Sequence, residues 1–195
     1  MRLIKAKYLI CAVFFVLCSC SKSEVLLTDL NKLKHDDCYG YMEVSWGVSP
    51  EEVSACLDIS FEEPQVYYSE SGEYAFDLYE VHDVSFAGES WEGHFQFNEN
   101  GLWAVSLMLQ DEAKTVSKIY DELSSNMIKV YGDAGEQVSN SKETADTILY
   151  VDTLKWSMID ERGESYLSLT YNHYSDEKMG SGLAVALKWE DSDSK

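Results

Sequence analysis

Basic residues are scarce in this chain. Fifteen lysines and arginines stand against 35 aspartates and glutamates over 195 residues, a formal charge of −20. A surface of that sign repels phosphate backbones and anionic lipid faces, which argues against nucleic-acid binding and against electrostatic adsorption to a membrane. There is no Gly-x-Gly-x-x-Gly turn and no phosphate-binding loop, so the usual nucleotide cradles are missing. Gly88-Glu89-Ser90-Trp91-Glu92-Gly93 has one residue too many for a Gly-x-Ser-x-Gly nucleophile elbow and reads as a hairpin turn. The four histidines, at 35, 82, 94 and 173, show neither His-x-x-x-His nor His-Glu-x-x-His spacing. His82 and His94, on neighbouring strands, would need Asp83 to complete a zinc set; exposed strand histidines are the plainer reading. Asn98-Glu99-Asn100-Gly101 lacks the 12-residue ligand series of a calcium loop. No catalytic residue, metal site or cofactor is therefore expected, and the chain reads as a non-enzyme.

Long apolar runs are also missing. The one apolar stretch, Tyr8 to Val16, is too short to cross a bilayer as a helix. Arg2, Lys5 and Lys7 precede it, and Leu17-Cys18-Ser19-Cys20 follows: an aliphatic residue, two small residues and a cysteine. This is the pattern of a bacterial lipoprotein signal peptide, residues 1–19, with lipid on Cys20. Several acyl chains on one cysteine give a stable membrane anchor. Ser21, rather than Asp, after the lipidated cysteine favours the outer membrane facing the periplasm in a Gram-negative cell. Losing Arg2, Lys5 and Lys7 with the leader leaves 12 basic against 35 acidic residues, a formal charge of −23.

Beyond Cys20 only Cys38 and Cys56 remain, an even pair in an oxidising compartment. A disulfide between them is expected; the alternative is a buried free thiol at Cys56 beside Val53 and Leu57. Residues 20–37 read as a mostly flexible tether; the alternatives are that the leucines at 26, 27, 30 and 33 form one or two amphipathic turns that dock on the domain or lie at the lipid surface. A single domain is expected over 38–190, with 38–110 and 111–190 as alternative halves and 191–195 as a frayed tail.

Ser49, Pro50 and Glu52 form a capping box with proline at the first helical position, so a helix is expected over 50–58. Residues 60–73 read as a loop. Alternation in Tyr74–Leu78, Val84–Phe86, Trp91–Phe97 and Trp103–Leu109 marks strands, with hairpin turns at 88–90 and 98–101. Val116, Ile119, Tyr120, Leu123, Met127 and Val130 recur at helical spacing over 111–131, and Gly132 stops the helix. Residues 133–146 read as an exposed loop. Three more strands follow, in 147–158, around 167–171 and over 183–189, with a turn at 160–163. The expected fold is α+β: an antiparallel sheet of about six strands with two main helices on one face, or two β-rich halves in tandem.

Trp46-Gly47-Val48-Ser49-Pro50-Glu51-Glu52-Val53 leading to Leu57, then Phe95-Gln96-Phe97 and Gly101-Leu102-Trp103-Ala104-Val105, resembles the SmpA/OmlA (BamE-like) domain of small envelope lipoproteins over about 46–109. Leu57-Asp58-Ile59-Ser60 departs from that family's Leu-Gly-x-Pro. The doubled helix-plus-sheet layout is similar to β-lactamase-inhibitor-type proteins, whose sheet binds another protein. The resemblance implies a lipoprotein acting by protein–protein contact in the cell envelope. The charge offers a second reading, an acidic inhibitor or immunity lipoprotein against a basic envelope-active toxin or lysozyme.

Overall fold

The computed structural model describes residues 21–144 and 147–192. The expected leader, Cys20 and the last three residues of the expected tail lie outside the described residues. Within them the chain forms helices α1 (Ser21–Asn31), α2 (Pro50–Leu57) and α3 (Ala113–Tyr131). The strands are β1 (Gln65–Tyr68), β2 (Tyr74–Phe86), β3 (Glu89–Asn98), β4 (Gly101–Asp111), β5 (Glu136–Glu143), β6 (Ile148–Ile159), β7 (Gly163–Tyr174) and β8 (Ser181–Asp191).

Local chemistry sets several of these boundaries. At α2 the Ser49 hydroxyl accepts from the Glu52 amide, while the Glu52 carboxylate accepts from the Ser49 amide. Each bond satisfies a donor that the helix cannot satisfy itself. The β2–β3 hairpin turns on Ala87 and Gly88, both at positive φ, as a type I′ turn requires. At the β3–β4 hairpin Gly101 has φ 94°, and a Cβ there would overlap the Gly47 carbonyl. That close approach lets Gly47 N–H donate to Leu102 O and Leu102 N–H to Val48 O, each at 2.9 Å.

All eight strands belong to one antiparallel sheet in the order β1-β2-β3-β4-β8-β7-β6-β5. Two four-stranded meanders meet edge to edge, with Val105 opposite Leu187 and Leu107 opposite Val185. One face carries the core: Phe95, Phe97, Val105, Leu107, Trp156, Leu167, Leu169, Val185 and Leu187 are buried together with Val116, Leu123 and Met127 of α3. Helix α1 packs against α3 and adds Leu26 and Leu30, and Leu33 follows just beyond its end. The Tyr131 hydroxyl of α3 donates to the Leu30 carbonyl, and the Ala87 amide donates to Asp29 at 2.8 Å.

This corrects the expected α+β fold of about six strands and two main helices. Residues 136–143, expected within a loop, form edge strand β5. Residues 65–68, also expected within a loop, form edge strand β1. Both have little apolar alternation because an edge strand exposed to water does not need it. The leucines at 26, 30 and 33 are spaced for one helical face, and burial against α3 orders the segment expected as a flexible tether. The alternative of two β-rich halves in tandem gives way to one sheet, because β4 and β8 pair along eight registered positions.

Candidate functional site

Among the described residues the helices pack on one face of the sheet and leave the other uncovered. Side chains alternate along a strand, so the register assigns this second face. Its centre is built mostly from small residues, with the long side chain of Met108 among them. Ser106 lies opposite Ala186, Met108 opposite Ala184, and Ser168 opposite Ala186 on the other side. Thr153 and Thr170 bond across β6 and β7 at 3.1 Å.

Beside this centre runs a band of aromatic and cationic side chains. Tyr67 stacks on Phe76 with centroids 4.8 Å apart, and Phe76 meets the edge of Trp103 at 6.0 Å. The Lys188 ammonium sits 5.2 Å from the Trp103 ring and 2.7 Å from Glu190. Tyr166 donates to Glu190 at 3.2 Å, and the Lys155 ammonium lies 3.9 Å above the Tyr166 ring. The band therefore crosses β1, β2, β4, β8, β7 and β6. The sequence pattern put Tyr67 in a loop and divided the others among separate strands, and only the register aligns them.

Electrostatics hold the band in place. The Lys188 hydrogen bond keeps the Glu190 carboxyl below its usual range. A hydrogen bond to Glu164, with burial and Glu190 adding to it, holds the Tyr166 phenol protonated well above the ordinary tyrosine range. Tyr166 is thus a hydrogen-bond donor at neutral pH rather than a candidate base.

Beside the middle of the band, next to Trp103 and Lys188, opens a cavity of about 990 Å³. Its walls include Trp46, Asn98, Trp103, Arg162, Lys188 and Trp189. Arg162 sits 5.6 Å from the Trp189 ring and pairs with Asp37 at 3.1 Å and Asp160 at 2.8 Å. Its hydrogen bonds hold the Asp160 carboxyl below the usual range. The cavity's cations are thus already paired with carboxylates. His35 and Trp103 both line the cavity, and their buried nitrogens, His35 Nε2 and Trp103 Nε1, have no hydrogen-bond partner among the described residues.

Cys38 lies in the wall of this cavity, and burial, with Asp37 adding to it, pushes its thiol up. Cys56 lines a second cavity of about 450 Å³, with Leu57, Val81 and His82. Both cysteines are free thiols, Cys38 buried and Cys56 exposed, so the expected bridge is not formed in this structure. Cys20, the expected lipidation site, lies outside the described residues.

The expected zinc alternative of His82, His94 and Asp83 is split by a bulge between Val81 and Val84. Asp83 there adopts φ 57° and accepts from Ser90. His94 instead lies directly opposite Glu80 and two residues from Glu92, and these three side chains come together. The sequence signal was Glu92-Gly93-His94, two ligand types at strand period, but its third member sits on another strand.

No family model, no curated protein and no solved structure matches this chain.

Proposed function

We propose that this protein is a non-enzymatic binding lipoprotein that acts by protein–protein contact through the uncovered face of its sheet. One observation carries the reading: the band Tyr67, Phe76, Trp103, Lys188, Tyr166 and Lys155 on a face that no helix among the described residues covers. Tryptophan and tyrosine are the side chains that most often dominate binding energy in protein interfaces. The small residues beside the band let a partner's backbone or bulky side chains approach closely. Lipid on Cys20 would tether the domain in the bacterial envelope, with the outer membrane facing the periplasm as its place in a Gram-negative cell.

The charge of −20 favours a basic partner and supports a second reading, an inhibitor or immunity protein against a cationic envelope-active toxin or lysozyme. Excess acid steers a cation toward the molecule, while the band supplies short-range contact.

Site-specific photo-crosslinking in cells tests both readings. A photoreactive residue at Ser106 or Ala186, on the uncovered face, is expected to trap one recurrent protein. The same residue at the exposed Lys118 of α3 is expected to trap none. Equal trapping from both positions, or none from either, refutes the face as the contact surface. Release of the partner by salt, with loss of the partner's own activity in the complex, supports inhibition.

A further inference from the structure

The geometry points to a divalent zinc-class cation site formed by Glu80, Glu92 and His94 on the uncovered face. The inference stands independently of any protein partner.

Backbone register creates the cluster. Glu80 of β2 lies directly opposite His94 of β3, and Glu92 is two residues before His94, so all three side chains emerge on one face. Their ligating atoms all lie within 4.8 Å of one another. His94 Nε2 and Glu92 Oε1 are 3.4 Å apart. A tetrahedral zinc ion with bonds near 2.0–2.1 Å holds neighbouring ligand atoms about 3.3 Å apart. That edge is therefore already at zinc spacing, and the Glu80 carboxylate lies within 4.8 Å of both other ligand atoms.

The surroundings match a metal site in three further ways. Gln65 Nε2 donates to Glu80 Oε1 at 3.0 Å, and the Tyr67 hydroxyl donates to Gln65 Oε1 at 3.2 Å. Such outer partners orient a ligating carboxylate. Neither Glu80 nor Glu92 has a lysine or arginine partner among the described residues, so no protein cation already neutralises the pair. The His94 side chain is 21% exposed and that of Glu92 47%, so an ion reaches them from solvent.

The donor set selects the ion class. Two carboxylates and one imidazole suit zinc and neighbouring transition metals. Calcium prefers six to eight oxygen ligands, and magnesium retains most of its water. Three protein ligands leave the fourth zinc position to water, facing outward from the sheet.

The test is titration calorimetry of chelator-stripped, tag-free protein with zinc chloride, and separately with magnesium and calcium chloride. Cobalt absorption provides the check on tetrahedral geometry. The expected result is a zinc site of one ion per chain that magnesium and calcium do not fill. His94→Ala and Glu80→Gln should each weaken it more than about a hundredfold, and Gln65→Ala about tenfold, as outer-shell changes do. His173→Ala should leave it unchanged; His173, on β7, pairs with Asp152 at 3.5 Å and stacks on Tyr150 and Tyr171. Melting in chelator verifies that each variant is folded, and Glu80→Gln stands in where His94→Ala is not. No zinc binding, zinc binding unaffected by these changes, or equal binding of calcium overturns the assignment.

Discussion

Leu30→Ala separates a docked α1 from a tether that touches the domain in passing. Leu30 is fully buried, and the carbonyl of the same residue accepts the Tyr131 hydroxyl. Truncation removes three carbon groups, worth about 2.4 kcal/mol at ~0.8 kcal/mol each. It also leaves a cavity that α1, free to settle on its outer side, fills only in part. A total near 3 kcal/mol is expected, inside the ~2–5 kcal/mol range for buried leucines. For a chain of this size that corresponds to a melting shift of roughly 6–12 °C. Leu27 on the neighbouring face is exposed, so Leu27→Ala is the internal control and should stay within about 0.5 kcal/mol. Urea unfolding followed by tryptophan fluorescence measures both. If Leu30→Ala costs less than about 1 kcal/mol, the packing of α1 on α3 does not contribute to the fold as argued.

Gly101→Ala must place a Cβ against the Gly47 carbonyl at φ 94°, so a loss of about 2 kcal/mol or more is expected in the same urea assay. Trp91→Phe removes the hydrogen bond from Trp91 Nε1 to the Phe86 carbonyl at 2.8 Å, whereas Trp103→Phe removes none, since Trp103 Nε1 has no partner among the described residues. Trp91→Phe should therefore be the costlier change by about 1 kcal/mol or more; equal costs would refute the hydrogen-bond account. Burial, with Asp29 adding to it, raises the Tyr41 pKa to about 12. Because the raised value belongs to the folded state, the contribution is whole below pH 10 and is lost as pH climbs from 10 towards 12. Tyr41→Phe should flatten that part of the stability profile, and ultraviolet titration should find one fewer late-ionising phenol. Cys20→Ala should move the protein from the membrane to the soluble fraction; retention in the membrane would refute the lipid anchor.

What the sequence made legible followed from local chemistry. Ser49, Pro50 and Glu52 announce α2 within four residues, and Gly88 and Gly101 mark hairpins by a need for positive φ. Helix α3 is legible because its apolar stripe persists to a glycine stop. Three kinds of feature were not. The edge strands β1 and β5 are exposed and carry little alternation. The leucines of 21–33 left docking and a flexible tether both open, because their partner, α3, is distant in sequence. The band and the Glu80–Glu92–His94 cluster depend on register between strands, and register is a long-range property. In a chain with 35 acidic residues, Glu80 had nothing to distinguish it until His94 stood opposite.

The seam between the meanders has a consequence for how the molecule is made. The β8 strand follows the other seven in the chain, yet it lies in the middle of the sheet, between β4 and β7. Until it emerges from the ribosome, β4 presents an open edge with Val105 and Leu107 uncovered, and β7 presents another. The first meander cannot be finished early and left to wait. Closure depends on contacts distant in sequence, which folds slowly and leaves strand edges exposed to wrong partners meanwhile. A chain cut before Ser181 should thus lose both meanders rather than one, and such a nascent chain is the form most in need of a chaperone.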